Sequence, residues 1–103
     1  MATSCLVGVE SKDGIRSIWI AFDGYPSHTF ECLTTDYNDY IKACNLVNNG
    51  DIEHLTPILE DADKLSTSYE HCNDLVELKQ QASNSDSDYV YLFKNDAWHI
   101  LYP

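Results

Sequence analysis

Positive charge is scarce in this sequence of 103 residues, in which six Lys and Arg residues stand against seventeen Asp and Glu residues and give a formal net charge of −11. A chain with this excess of carboxylates repels phosphate backbones and anionic lipid headgroups. We therefore expect no direct binding to nucleic acid and no binding to a membrane. Any charged partner should be basic, so the expected partner is a protein with a basic surface.

Motifs for catalysis and for cofactor binding are also lacking. The glycines at positions 8, 14, 24 and 50 are too scattered to form a phosphate-binding loop, and there is no G-x-S-x-G motif for a nucleophilic serine. The four cysteines lie far apart, without the short Cys or His pairs that a zinc site needs. We therefore expect no cofactor, no metal and no enzymatic activity, with His28 as a general base left as the weakest alternative.

Long hydrophobic runs are absent as well. The longest unbroken apolar run covers residues 18–22, whereas a membrane-spanning helix needs about 20 residues. The first ten residues lack the basic stretch and the following apolar stretch of a secretory signal. These features predict a cytoplasmic protein whose cysteines stay reduced.

The chain length and the hydrophobic content of 44% fit a single folded domain over residues 1–103. β-branched and aromatic residues at 4–10 and 15–22 predict a hairpin, joined by turn residues that include a glycine. A second hairpin is predicted from residues 89–93 and 97–102, around a short polar turn. Residues 29–33 are predicted as a short extended piece.

Two helices are predicted between the hairpins. From Thr35 or Asp36, either of which can cap a helix, apolar residues recur at intervals of three and four up to Val47, and Gly50 suits the left-handed position that follows. Residues 69–82 form the second predicted helix, and residues 56–67 a loop with one helical turn. This order predicts an α+β domain with a mainly antiparallel sheet of two hairpins and two helices packed on one face.

Alternation along the strands divides their side chains between two faces of the sheet. Ile18, Ile20, Val90 and Leu92 suit a core under the helices. The opposite face would then be an exposed aromatic surface that binds a partner protein, a planar ligand or a second copy of the chain as a homodimer. An equally weighted alternative is that the acidic middle of the chain covers it. The predicted aromatic face consists of Trp19, Tyr89, Tyr91, Phe93, Trp98, Ile100 and Tyr102.

The most distinctive local sequence is F-D-G-Y-P-S-H at residues 22–28, which places a carboxylate, a phenol and an imidazole together after a strand. A hydrogen bond from Asp23 to His28 would hold one tautomer of the imidazole and raise its pKa. Together with Trp19 and Tyr25, these side chains predict a small-ligand site that takes a nucleotide. The structural alternative is a turn, because Asp-Gly and Tyr-Pro are common turn formers.

Negative charge is concentrated in residues 51–77, which carry a net charge of −7. Carboxylates spaced along a helix and its preceding loop can imitate the charge of a phosphate backbone and occupy a basic channel. The alternative is a solvated surface that keeps a small protein soluble. The predicted acidic binding residues are Asp51, Glu53, Glu60, Asp61, Asp63, Glu70, Asp74 and Glu77.

The F-D-G-Y-P-S-H element, the stretch Y-V-Y-L-F-K-N-D-A-W at 89–98 and the G-D-I at 50–52 resemble a loose group of short phage and mobile-element proteins. The resemblance implies a viral or mobile-element origin, and hence a place in the cytoplasm of the host cell, but no reaction. Small acidic phage proteins often resemble inhibitors of host defence, including anti-CRISPR proteins. The leading hypothesis is therefore a non-enzymatic, DNA-mimic-like inhibitor that binds a basic surface of a host nucleic-acid-processing or defence protein. The alternative is a nucleotide-binding protein or sponge that uses the F-D-G-Y-P-S-H loop.

Overall fold

The computed structural model describes residues 3–101. Within this range the strands are β1 (Cys5–Ser11), β2 (Gly14–Ile20), β3 (Glu70–Cys72), β4 (Tyr89–Lys94) and β5 (Ala97–Leu101), and the α-helices are α1 (Thr29–Asp36), α2 (Tyr40–Asn48) and α3 (Leu75–Asn84). The strands form one sheet in the order β3-β2-β1-β4-β5. Neighbouring strands are antiparallel except for β1 and β4, which are parallel. The predicted α+β class with a mainly antiparallel sheet is confirmed.

Both predicted hairpins are present, β1 with β2 and β4 with β5. The first turn requires a glycine at position 14, where φ is +117° and a Cβ would lie 2.6 Å from the carbonyl oxygen of Cys72. The second turn passes through Asn95 and Asp96, both with positive φ, and these residue types tolerate the left-handed region better than most. Local turn chemistry therefore specifies each hairpin by itself.

Helices cover both faces of the sheet, which corrects the prediction of two helices on one face. α1 and α2 bury Leu33 and Leu46 in a core on one face, which we call the α1/α2 face. α3 buries Leu78 and Ala82 in a second core on the opposite face, the α3 face. The order of elements along the chain does not determine which face a helix covers. Because β3 lies at the edge beside β2, the chain can cross there to the second face.

The helix α1 occupies the stretch that was predicted as an extended piece at residues 29–33. Branched and aromatic residues such as Thr29 and Phe30 favour strands in isolation. The chain nevertheless turns helically before them, since the Thr29 N–H donates to the Tyr25 carbonyl at 2.9 Å. Leu33 is then fully buried in the core, so tertiary packing overrides the local preference.

The helix that was predicted to begin at Thr35 or Asp36 is α2, and it begins at Tyr40. Thr35 and Asp36, the predicted caps, belong to the end of α1. Asp39 instead caps α2, and its side chain accepts a hydrogen bond from the Lys42 N–H at 2.7 Å. The predicted left-handed glycine is confirmed, because φ of Gly50 is +94°.

The predicted second helix at residues 69–82 is divided into β3 and α3. Without β3, one edge of β2 would be unpaired. Residues 70–72 pair with this edge, which provides hydrogen-bond partners for their backbone. Asp74 then caps α3 by accepting from the Glu77 N–H at 3.0 Å. On α3, Val76 is 75% exposed, whereas Leu78 is buried.

The segment between α2 and β3 pairs with the end of β2 that β3 does not reach. Ile52 forms isolated bridges with Ile20 and Lys64, and the predicted single helical turn of this segment is a 3-10 turn at Leu59–Asp61. Among the described residues, no helix has the length and apolar character needed to cross a membrane.

Candidate functional site

The predicted exposed aromatic face is wrong, because its members lie largely in the core of the α1/α2 face. Tyr91, Phe93 and Trp98 are buried, and Tyr89 and Ile100 are half-buried against them. The Tyr91 hydroxyl donates to the Gly24 carbonyl at 2.6 Å, and the Trp98 indole N–H donates to a backbone carbonyl at 2.8 Å. A homodimer through this surface therefore loses its basis. Tyr102 lies outside the described residues.

The reason for this error is the register between the two hairpins. β4 pairs in parallel with β1 so that Tyr91 lies opposite Val7, and Val7 lies opposite Ile18. The aromatic residues of β4 therefore share a face with the aliphatic residues of β2, whereas Trp19 lies on the other face. Alternation within one strand contains no information on this inter-hairpin register.

The F-D-G-Y-P-S-H loop leads into α1 and is anchored by its glycine. A Cβ on Gly24 would lie 2.8 Å from the carbonyl carbon of Ser4, and the Gly24 N–H donates to the Thr3 carbonyl at 2.8 Å. Tyr25 is 39% exposed beside the ring of His28. These contacts support the structural interpretation of the loop.

The predicted Asp23–His28 hydrogen bond is not formed. The His28 Nε2 lies 2.9 Å from the Leu55 carbonyl, and since a carbonyl only accepts, Nε2–H is the donor. The Asp23 carbonyl accepts from the Thr29 hydroxyl at 2.6 Å. Trp19 lies on the α3 face, away from this pair, so the predicted loop site does not come together.

The acidic residues of the middle segment lie on both faces and do not form one regular array. Leu59 and Ala62 pack into the α1/α2 core, which places Glu60 and Asp61 on that side together with Asp63. The Glu53 N–H donates to the Asp63 carbonyl. The remaining carboxylates of this segment lie at the β2 edge or on the α3 face: Asp51, Glu70, Asp74 and Glu77.

Two of these carboxylates have structural roles at the start of α3. Asp74 is its N-cap, and Glu77 accepts from the Asn73 N–H at 2.9 Å in return. This reciprocal arrangement satisfies backbone donors that the helix itself leaves unpaired. Their negative charge is therefore explained by helix capping without a partner.

Asp51, Glu70 and Trp19 line one cleft of 230 Å³ on the α3 face, together with Ser17 and Gln81. We call this the acidic cleft. Asp51 is held in place, because its Oδ1 accepts from the Trp19 backbone N–H at 2.7 Å. Glu70 is exposed and lies opposite Ser17 in the sheet. The indole N–H of Trp19 is buried and has no hydrogen-bond partner among residues 3–101.

A second concavity, of about 700 Å³, lies beside the first hairpin turn, and sequence reasoning missed it. Its principal side chains are Lys12, Arg16, Tyr40, Tyr69 and His71, and we call it the basic groove. Arg16 and His71 are cross-strand neighbours in β2 and β3, so their side chains share the face opposite to that of Glu70. The sequence signal was the presence of two of the six basic residues in one hairpin.

The Arg16 guanidinium is fixed by neutral groups. It donates to Asn48 Oδ1 at 2.8 Å and to Cys44 Sγ at 3.1 Å, and it lies 5.8 Å above the centre of the Tyr69 ring. Cys44 also raises the pKa of the Tyr40 hydroxyl through a hydrogen bond. The groove thus has a preformed wall in which an amide oxygen and a thiol orient the arginine.

The other cysteines are held as neutral thiols. Burial raises the pKa of the Cys5 and Cys72 thiols above the usual value, and for Cys72 the neighbouring Glu77 and Glu70 add to this rise. Burial and the adjacent Asp36 raise the pKa of Cys32 to about 12. In residues 3–101 there is no group of three or more His, Cys, Asp or Glu side chains suited to a metal ion.

Comparisons with protein-family models, with curated proteins and with solved structures give no match.

Proposed function

We propose that the protein is a non-enzymatic binding protein that captures a basic surface of another protein, and that the acidic cleft holds one Lys or Arg side chain of that partner. The observation that carries this proposal is the meeting of Asp51 and Glu70 beside Trp19 in a single cleft. Carboxylates form strong charge-assisted hydrogen bonds with Arg and Lys, and the face of an indole ring attracts the same cations.

The size of the acidic cleft supports one side chain as its occupant. Its volume of 230 Å³ is below the range of about 300–1,000 Å³ that is usual for small-molecule sites. The unpaired indole N–H of Trp19 represents a cost of about 1–3 kcal/mol. Because this N–H is buried, a hydrogen-bond acceptor on the partner would reach it only if the indole ring moved.

The net charge of −11 supports the same class of partner, because an acidic protein attracts a basic surface over longer distances and so speeds association at low salt. The resemblance to phage proteins adds the proposal that the partner is a host protein of nucleic-acid processing or defence, and that the chain acts as its inhibitor. Since the carboxylates lie on both faces, the proposed contact is centred on the β2–β3 edge and not on one continuous stripe.

A titration with a defined peptide tests this proposal. The probe is a hexapeptide of alternating Arg and Gly, and the readout is the NMR signal of the indole N–H groups, of which the chain has two. The Trp19 signal should move during the titration, whereas the signal of the buried Trp98 should not. A peptide of alternating Glu and Gly serves as the control and should move neither signal.

Two matched charge reversals locate the contact. Glu70→Lys and Glu60→Lys both replace an exposed glutamate, but only Glu70 lines the acidic cleft. Glu70→Lys should weaken binding of the Arg peptide about tenfold, a loss typical of one charge-assisted contact. Glu60→Lys should change it less than about twofold, because the screening length is about 8 Å at physiological salt. Equal losses in the two variants would refute the assignment of the contact to the cleft.

A further inference from the structure

The arginine of the basic groove has no acidic partner in the described part of the chain. Within residues 3–101, no carboxylate oxygen lies within 4.0 Å of a nitrogen of Arg16 or of Lys12. This occurs in a chain with seventeen carboxylates and six Lys and Arg residues. An Arg guanidinium has five N–H donors, and the hydrogen bonds to Asn48 and Cys44 use only part of them. Donors therefore remain for an anion.

The groove is locally positive even though the whole chain is acidic. Among the described residues that line it, Lys12 and Arg16 are basic and Asp13 alone is acidic. At physiological ionic strength the screening length is about 8 Å, so the charges that line the groove act on a bound anion more strongly than carboxylates beyond that distance. An anion of modest size can therefore bind here, whereas a long polyanion would also meet the acidic surface.

The hairpin turn gives the groove a fixed wall. The His71 Nε2 lies 2.8 Å from the Asp13 carbonyl, so Nε2–H donates and the imidazole is held in one orientation. Gly14 is packed against the same ring, since a Cβ there would lie 2.9 Å from His71 Nε2. The second ring nitrogen of His71 and the free donors of Arg16 thus belong to one face of two paired strands.

Aromatic rings supply the remaining part of the site. Tyr40 and Tyr69 are each 42% exposed and both line the groove. The Arg16 guanidinium lies over the Tyr69 ring. A further planar group can stack on this pair of planar side chains. The volume of about 700 Å³ lies in the middle of the range for small-molecule sites, about 300–1,000 Å³, and exceeds what a bare phosphate ion needs.

We propose that the basic groove binds a nucleoside phosphate, with the phosphate at Arg16 and Lys12 and the base against Tyr40 and Tyr69. This site is separate from the F-D-G-Y-P-S-H loop and from the acidic cleft, and it does not depend on the function proposed above. Phosphate recognition by a forked guanidinium and ring stacking on tyrosine are independent contributions, so each can be tested by itself.

Calorimetric titration with three probes separates the two contributions. The probes are AMP, adenosine and inorganic phosphate. AMP carries both the base and the phosphate, adenosine carries the base without the phosphate, and inorganic phosphate is the anion alone. AMP should bind at least about tenfold more tightly than either of the others, which corresponds to one good contact from each group. Phosphate binding as tightly as AMP would overturn the stacking assignment, and adenosine binding as tightly as AMP would overturn the phosphate assignment.

Matched variants then place the site. Lys12→Gln removes an exposed charge from the groove, and Lys79→Gln removes an exposed charge from α3, so neither should affect folding. Lys12→Gln should weaken AMP binding about threefold to tenfold, and Arg16→Gln more than tenfold, while Lys79→Gln should leave it unchanged. The amide signals of residues 11–14 should shift with AMP. No measurable AMP binding, or equal losses for Lys12→Gln and Lys79→Gln, would refute the proposal.

Discussion

The two concavities at the β2–β3 edge use the same two strands and carry opposite charge. On the α1/α2 face, Arg16 and its neighbour His71 line the basic groove. One residue further along each strand pair, Ser17 and Glu70 line the acidic cleft on the α3 face. Successive residues of a strand point to opposite faces, so the separation of charge at this edge follows from the register of one short strand pair.

The two sites hold their charged groups in different ways. The arginine of the groove is held by an amide oxygen and a thiol, whereas Asp51 of the cleft is held by a backbone N–H. In both sites the charged group is oriented by neutral partners and retains capacity for a ligand. Both sites depend on β3 being paired with β2, so a change that disturbs this pairing should affect both.

The largest expected effect comes from Gly14→Ala, which disturbs both sites together. A Cβ would meet the Cys72 carbonyl at 2.6 Å in a backbone with φ of +117°, and strain of this kind costs about 1–3 kcal/mol in addition to the clash. We expect the free energy of unfolding in urea to fall by about 3 kcal/mol. Lys12→Ala at the same turn is the control and should change it by less than about 0.5 kcal/mol. Similar values for both variants would show that the turn does not support the edge.

The next largest effect is a difference in alkylation rate between Cys44, beside the basic groove, and Cys72, on the α3 face. Cys72, on the acidic side, is 3% exposed, and burial with nearby carboxylates raises the pKa of its thiol, so its thiolate is rare at about pH 8. Cys44, beside Arg16, is half-buried. Iodoacetamide labelling followed by peptide mass spectrometry should modify Cys44 at least about tenfold faster than Cys72. In urea the two rates should converge, and equal rates in the folded protein would contradict the placement of Cys72.

A pH dependence of stability follows from the buried thiol of Cys5. The folded-state pKa of Cys5 is raised by burial, so the unfolded chain loses this proton first, once the pH exceeds about 9. Stability is therefore retained below that pH and lost above it, by about 1 kcal/mol for one such thiol between about pH 8 and 10. The melting temperature should fall by roughly 5 °C over this range. Cys5→Ala should show a shallower decline, and an identical decline would assign the effect to other groups.

The smallest expected effect is that of Asp51→Asn. The amide oxygen can still accept the Trp19 backbone N–H, so the free energy of unfolding should change by less than about 1 kcal/mol. The negative charge is lost, however, and binding of the Arg peptide should weaken about threefold, while AMP binding in the groove should not change. A parallel loss of AMP binding would indicate that the two sites are coupled.

The elements that sequence predicted well are those fixed by local chemistry. The turn around Gly14 and the aromatic strands around Asn95 need only neighbouring residues to be recognised, and both hairpins were correct. β3 and α1 were missed because their identity depends on distant parts of the chain: the open edge of β2 for one, and the core position of Leu33 for the other. Propensity is a weak guide where tertiary contacts compete with it.

For the candidate sites, too, single residues could be predicted from the sequence, but their arrangement in space could not. Asp51, Glu70 and Trp19 were each predicted as binding residues, but their common cleft could not be deduced without the pairing of β2 with β3. The basic groove was missed because His71 and Tyr69 lie far from Arg16 in the sequence. Conversely, Tyr91 was predicted as exposed because the parallel register of β1 and β4 is a long-range property.

The separation of charge across the β2–β3 edge is the central claim, and a double titration tests it most directly. Isotope-labelled protein is titrated first with AMP and then, in the same sample, with the alternating Arg and Gly hexapeptide, while the amide and indole NMR signals are recorded. AMP should shift the signals of residues 11–14 and leave the Trp19 indole unchanged, and the peptide should then shift the Trp19 indole without displacing AMP. Both probes moving the same set of signals, or the peptide displacing AMP, would contradict the account.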